Sequence, residues 1–272
     1  MNFPWVLLLA LVSCASLQAS PLVLQGSLQQ GGLVLGEIAP GSVAYYHGKP
    51  LQTTPSGQFI LGLGREAPES IELKVVDAGS MQTVHKFAVS QREYSIQRVN
   101  GVPSKTVTPS DADLARIRSD SALVRQARKD RTSEVDFLGG FQKPMIGPIT
   151  GVYGSQRVYN GVPKNPHYGV DYAAPTGTEV VAPAAGIVRL AHPDLFYSGG
   201  TMIIDHGHGL SSSFLHLSGL LVTEGTRVIR GQPIALVGAT GRATGPHLDW
   251  RMNWLDQRID PQLVLQTLPV QK

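Results

Sequence analysis

The sequence predicts a mainly β chain. A small β-sandwich-like domain covers residues 21–105, a helical connector 106–135, and a second, antiparallel β-sheet domain 136–268. Three observations carry this. Short apolar runs bounded by Gly, Pro, Ser or Asp recur along most of the chain, as strands between turns do. Gly (30) and Pro (19) are abundant, which suits a turn-rich architecture. Only residues 109–131 repeat their apolar side chains at helical spacing.

The chain opens with MNFPWVLLLALVSCASLQAS, apolar from Trp5 to about Val12 and then small and polar. This is too short to span a bilayer and reads as a secretory signal peptide over 1–19, with cleavage after Ala19. The segment LVSC, residues 11–14, also resembles a bacterial lipobox. The alternative is therefore lipidation of Cys14, which would anchor the chain to the outer membrane. Either route exports it across the inner membrane to the periplasm or cell envelope. Cys14 is the only cysteine. If cleavage follows Ala19, disulfides and thiolate metal sites are excluded, and any metal must be held by His, Asp or Glu. No later apolar run is long enough to place a transmembrane span in the mature chain.

Between 21 and 105, LVLGEIAPGSVAYYHG, GQFILGLG, SIELKVVDAG and TVHKFAV each read as strands, four to seven in all. His47 and His85 lack acidic neighbours at ligand spacing and read as surface or packing residues. In PSDADLARIRSDSALVRQARKDR, Ser110 is a candidate cap and Asp111 and Asp113 suit the first turn. Leu114, Ile117, Val124 and Ala127 form the apolar stripe of a connector helix. From 136 onward, GIVRLA, TMIIDH, SSSFLHL, TRVI, PIALVG and HLDWRMNW are candidate strands. No helix stands out among them, and the end of the chain, LPVQK, reads as a surface tail.

Hydrophobic residues make up 42% and charged residues 16%, enough for a buried core. The net charge of +3 is mildly basic, and no Lys/Arg block supports a nucleic-acid partner. GATGRATG lacks the Lys-Ser/Thr of a phosphate loop and precedes a strand, so no nucleotide site is expected.

Chemistry concentrates in the second β region. Five of the eight histidines fall between 192 and 247, with His167 just ahead. His167 and Asp171 are four residues apart, which puts both on one face of a strand or of a helix. His247 and Asp249, in GPHLDW, are two apart and share a strand face, with Leu248 and Trp250 opposite. Asp and neutral His are ordinary zinc ligands. His167 and Asp171 with one more side chain from 247–249 would leave a fourth position open, the arrangement of a catalytic zinc site. Remaining histidines could then serve as general base and oxyanion stabiliser.

Three segments, HYGVDYAAPTGTEVVAPAAGIV, GGTMIIDHGHGLSSSFLHLS and VIRGQPIALVGATGRATGPHLDW, resemble in order the lysostaphin/LytM-type zinc metallopeptidases. These cut peptide bridges in bacterial peptidoglycan. The resemblance covers roughly residues 140–265 and implies a LytM-type antiparallel β-sheet peptidase domain with one Zn2+ per chain. It implies His167 and Asp171 as metal ligands, and His216 and His247 as catalytic residues acting on peptidoglycan stem or cross-link peptides. The family's H-x-H places its third ligand where this chain has Asp249, so Asp249 is the expected third ligand. Tyr159 and Asn160 are candidates to line the substrate groove, His206 reads as structural, and His192 and His208 read as surface residues.

Two readings follow. One is a secreted zinc endopeptidase. The other is an inactive LytM-type binding module that activates cell-wall amidases. Counting charges, two carboxylates and a neutral His cancel a divalent ion, whereas one carboxylate and two His leave it positive. A less positive centre is a weaker Lewis acid, so the expectation is a higher pH optimum than in H-x-H relatives.

Overall fold

The computed structural model describes residues 22–99, 110–129, 132–159 and 161–270. The N-terminal segment with Cys14, read above as an export signal, and residue Asn160 lie outside these residues, as does the side chain of Tyr159. Among the described residues, no helix is long and apolar enough to cross a membrane.

The N-terminal part holds strands β1 (Val23–Gly26), β2 (Leu33–Glu37), β3 (Val43–Tyr46), β4 (Lys49–Pro50), β5 (Gln58–Gly62), β6 (Ser70–Val76), β7 (Gln82–Ala88) and β8 (Ile96–Val99). The first seven form sheets ordered β1-β2-β5 and β4-β3-β6-β7. β6 shows the period of two expected of a half-buried strand: Ile71, Leu73 and Val75 are buried, and Glu72 between them is exposed. β5 differs. Phe59, Ile60 and Leu61 are all buried in succession, because this strand also meets the C-terminal half. Gly62 lies against Trp254 so closely that a Cβ there would sit 2.6 Å from the Cβ of Trp254.

Helix α1 (Asp111–Ala127) begins as expected. The Ser110 hydroxyl accepts from the Asp113 N–H, and the Asp113 carboxylate accepts from the Ser110 N–H, a reciprocal cap. Its Val124 and Ala127 pack on Leu190, Leu195 and Ile203. Asp120 accepts from the Phe196 N–H at 2.7 Å, and Arg116 pairs with Asp194. The helix therefore lies along the C-terminal sheet.

A 3-10 turn (Asp136–Gly139) leads into β9 (Ile149–Gly151), β10 (Gln156–Tyr159), β11 (Val162–Pro163), β12 (Gly169–Ala173), β13 (Glu179–Val181), β14 (Gly186–Leu195), β15 (Gly199–Asp205), β16 (Leu210–Leu217), β17 (Gly219–Leu220), β18 (Arg227–Val228), β19 (Pro233–Leu236), β20 (His247–Trp254), β21 (Gln257–Ile259) and helix α2 (Pro261–Thr267). The main sheet runs β18-β14-β15-β16-β20-β12-β9, with β21 paired to β20, and β13-β19-β17 forms a smaller sheet. Each of the six candidate strands of this region coincides with one of these elements.

Two expectations need correction. The chain end is a surface tail only in part: Leu268 is buried just past α2, a helix that buries Leu263 and Val264, and Phe141 donates its N–H to the Leu268 carbonyl, whereas Pro269 is exposed and residues 271–272 lie outside the described residues. Seven residues are too few for a helical period to show, but Asp260-Pro261 is a start signal, with Asp260 accepting from the Gln262 N–H. His208 is buried, not on the surface. Its N–H donates to the Thr132 carbonyl, and Phe137 packs on its ring at 5.1 Å. His206 is structural as read, donating from Nδ1 to the Ala185 carbonyl and accepting the Ser212 hydroxyl at Nε2.

One hydrophobic cluster runs from Leu33 and Phe59 through Phe214 and Trp250 to Val264. β8 pairs in parallel with β10, Ile96 opposite Gln156. Asp260 ties the halves further: its carboxylate accepts from Arg92 at 2.9 Å, and its N–H donates to the Gly31 carbonyl.

Asp260→Ala removes a cap and a buried partner together and should cost about 2 kcal/mol in urea unfolding; a change under 0.5 would contradict the assignment. Burial holds the His206 pKa down at about 4. Its neutral form therefore contributes stability above the ordinary value of about 6.5, and this is lost as pH falls from there towards about 4. Urea midpoints at pH 7 and pH 5 should converge in His206→Gln relative to the parent chain. An unchanged difference would show that another group sets the acid limb.

Candidate metal centre

The centre is built on one strand pair. β12 and β20 run antiparallel with Gly169 opposite Arg251, Asp171 opposite Asp249 and Ala173 opposite His247. The intervening Val170, Tyr172, Leu248 and Trp250 are buried in the core on the other face. Strand alternation then leaves Asp171, His247, Asp249 and Arg251 together on the site face.

His167 precedes β12. Its N–H donates to the Ser155 carbonyl and its carbonyl accepts the Gly154 N–H, both at 2.8 Å. The N-terminal half supports this segment, since Arg65 donates to the Gly154 carbonyl at 3.0 Å. Nε2 of His167 lies 3.0 Å from Asp171 Oδ1 and 3.5 Å from Asp249 Oδ2. One ligand atom from each of the three residues falls within 4.8 Å of the others. His167 Nε2 and Asp171 Oδ1 are buried and lack a well-formed hydrogen bond. Two glycines make room for the carboxylates: a Cβ at Gly151 would sit 2.1 Å from Asp171 Oδ2, and one at Gly169 2.3 Å from Asp249 Oδ1.

An imidazole nitrogen and carboxylate oxygens that converge, with His167 Nε2 and Asp171 Oδ1 unsatisfied, fit a zinc-type divalent ion. Nδ1 of His167 faces the Val152 carbonyl at 3.3 Å, the orienting contact a ligating imidazole uses. Without an ion, burial works to lower the His167 pKa but is outweighed by Asp171 and Asp249, which lift it to about 10. Burial likewise opposes the charged form of Asp249, and Arg251 and His167 outweigh it, holding that carboxyl well below the usual range.

Arg251 is the residue that sequence reasoning missed. Its Nε donates at 3.0 Å to both oxygens of Asp249, and its Nη2 at 2.5 Å to Oδ2. The signal was present, since Arg251 stands two residues past Asp249 on the same strand face. With its charge counted, the set matches one carboxylate and two imidazoles. The expectation of a higher pH optimum therefore loses its basis.

His216 and His247 stand together, ring centroids 4.8 Å apart. Nδ1 of His216 faces the Thr240 carbonyl at 2.8 Å and Nδ1 of His247 the Gly245 carbonyl at 2.8 Å. Each Nδ1 must carry the proton, which leaves both Nε2 atoms able to accept one. Burial pulls the His216 pKa down. His216 adopts φ +64, a left-handed conformation unusual for a non-glycine residue, and its N–H donates to the Ser198 carbonyl. Thr240 belongs to the GATGRATG loop. Its hydroxyl donates to the Leu217 carbonyl and accepts the Gly200 N–H, so this loop orients His216.

Gly169→Ala should displace the Asp249 carboxylate and weaken zinc affinity by about tenfold or more, judged by chelator competition, in keeping with the effect of disturbing a ligand's support. Unaltered affinity would show that Asp249 is not in the ligand set.

The family model for peptidase family M23 matches residues 165–261. The chain is similar to the peptidoglycan DD-endopeptidase ShyA of Vibrio cholerae, 45% identical over 89 residues, covering 32% of this chain and 20% of that protein. It is similar to the DD-carboxypeptidase/endopeptidase Mpg of Neisseria meningitidis, 39% identical over 103 residues, covering 38% of this chain and 24% of that one. The chain thus spans a quarter or less of either relative. A Pseudomonas aeruginosa crystal structure described as a peptidase M23 superposes with TM-score 0.70 at 30% identity, covering 90% of this chain and 97% of that one.

Proposed function

Because the chain belongs to peptidase family M23, we propose that it is an exported zinc endopeptidase that hydrolyses peptide bonds in bacterial peptidoglycan. Its site of action is the periplasm or cell envelope. The observation that carries the proposal is the convergence of His167, Asp171 and Asp249 beside the His216–His247 pair. A family match alone would fit a binding module equally well. Two buried lone-pair atoms without a hydrogen bond, His167 Nε2 and Asp171 Oδ1, next to two oriented histidines favour chemistry.

His167, Asp171 and Asp249 would hold the ion. Zinc supplies Lewis acidity, activating water and polarising the scissile carbonyl. The chain's own histidines handle the protons. His216 is buried, and its Nδ1–H is committed to Thr240. It therefore stands neutral with Nε2 available to take the proton of the attacking water and later pass it to the leaving amine. His247, fixed by the Gly245 carbonyl, presents the second Nε2. That Nε2 takes up a proton from solvent and, as an N–H, donates a hydrogen bond to the oxyanion of the tetrahedral intermediate.

The purified chain should carry zinc and cleave cross-linked muropeptides, with activity abolished by a chelator and restored by zinc. His216→Ala and His247→Ala should keep the metal and lower kcat by about 10²–10⁴, the usual worth of general acid–base catalysis. A metal-free, inactive chain that stimulates a cell-wall amidase would instead establish the binding-module reading.

A further inference from the structure

We propose that Arg251 is a charge-setting and positioning residue for the metal. It compensates Asp249 before the ion arrives, and it holds the centre one unit more positive than its two carboxylates and imidazole would leave it. This rests on the reading of His167, Asp171 and Asp249 as ligands.

Asp171 and Asp249 face each other directly across β12 and β20. Like charges so placed repel, and Asp249 has only 3% of its side chain exposed. Water cannot screen it, so a cation must be built in. Arg251 meets that need with a two-point grip on both oxygens. Its Cγ lies where a Cβ on Gly169 would come within 2.7 Å, so the glycine that admits the carboxylate admits the guanidinium stem as well. Two N–H groups occupy about half of the roughly four acceptor directions of a carboxylate, leaving room for an ion.

Further positive charge flanks the pair. Arg128, just past the end of α1, donates to the Ser213 hydroxyl at 3.0 Å, and Ser213 is paired with Arg251 across β16 and β20. Arg258 lies over the Tyr168 ring at 5.3 Å. A divalent ion entering this centre therefore meets a fixed cation that it must share Asp249 with. Two effects of removing Arg251 oppose each other. Losing the grip loosens Asp249, which weakens binding. Losing the charge removes repulsion on a doubly charged ion in a partly buried site and leaves the opposed carboxylates with only the His167 proton or the ion to neutralise them, which strengthens it. The second acts at twice the unit charge and at low effective dielectric, and it wins.

The test measures zinc affinity of the full chain by competition with a chromogenic chelator, together with thermal stability with and without zinc. Arg251→Gln should melt earlier than the parent when metal-free and bind zinc about tenfold tighter or more. Arg251→Lys, which keeps the charge and loses the fork, should stay within a few-fold of the parent affinity. Asp249→His should bind more weakly than Asp249→His/Arg251→Gln, because the single variant leaves the guanidinium unpaired beside the ion. Weaker or unchanged binding by Arg251→Gln overturns the inference while leaving the metal site standing. If Arg251→Gln does not fold, the Asp249→His pair decides by the same sign. A parent chain that takes up no zinc overturns the ligand reading and this inference together.

Discussion

Two carboxylates, Asp171 and Asp249, are set directly opposite each other on neighbouring antiparallel strands, one of them almost fully buried. Everything around them answers that repulsion. His167 places Nε2 between them, Arg251 grips the more buried one, and Gly151 and Gly169 leave space where side chains would press the oxygens out. The core face of the same strands, with Tyr172, Leu248 and Trp250 fully packed, prevents a slip in register. A shift of one residue would turn the carboxylates into the core and the tryptophan onto the site face. The apolar side of the sheet thus holds the charged side in a geometry it would not adopt alone.

The supports reach well beyond this strand pair. Arg65 and β8 from the N-terminal half brace the segment that carries His167, and the shared cluster around Trp254 joins the two halves. The candidate metal centre therefore depends on residues that never approach it. His216 illustrates the same point on the other side of the site. Its backbone is held at a positive φ by the Ser198 carbonyl, and its ring by Thr240 from a glycine-rich loop. That loop looks like a phosphate cradle in composition and works as a clamp for an imidazole.

Much of this was legible in the sequence because it is local. The alternation in HLDWRMNW, the four-residue step from His167 to Asp171 and the cap at Ser110 each depend on neighbours a few positions away. What escaped depends on distant partners or on reading too short a window. Thr240 reaches His216 across 24 residues, and Gly151 matters only because β9 lies beside β12. His208 is buried by residues 132–137, which fold over it. Arg251 was within reach of the same strand-face reasoning that joined His247 to Asp249. Stopping at Asp249 left out the cation that changes the charge of the whole centre.

The central claim is that the ion is held by one imidazole and two carboxylates, with the neighbouring His216 and His247 free for proton transfer. X-ray absorption at the zinc edge of the metal-loaded chain tests it most directly. The account predicts a single imidazole shell with all other scatterers oxygen. A second imidazole in the coordination sphere would show that His216 or His247 is a ligand and would contradict it.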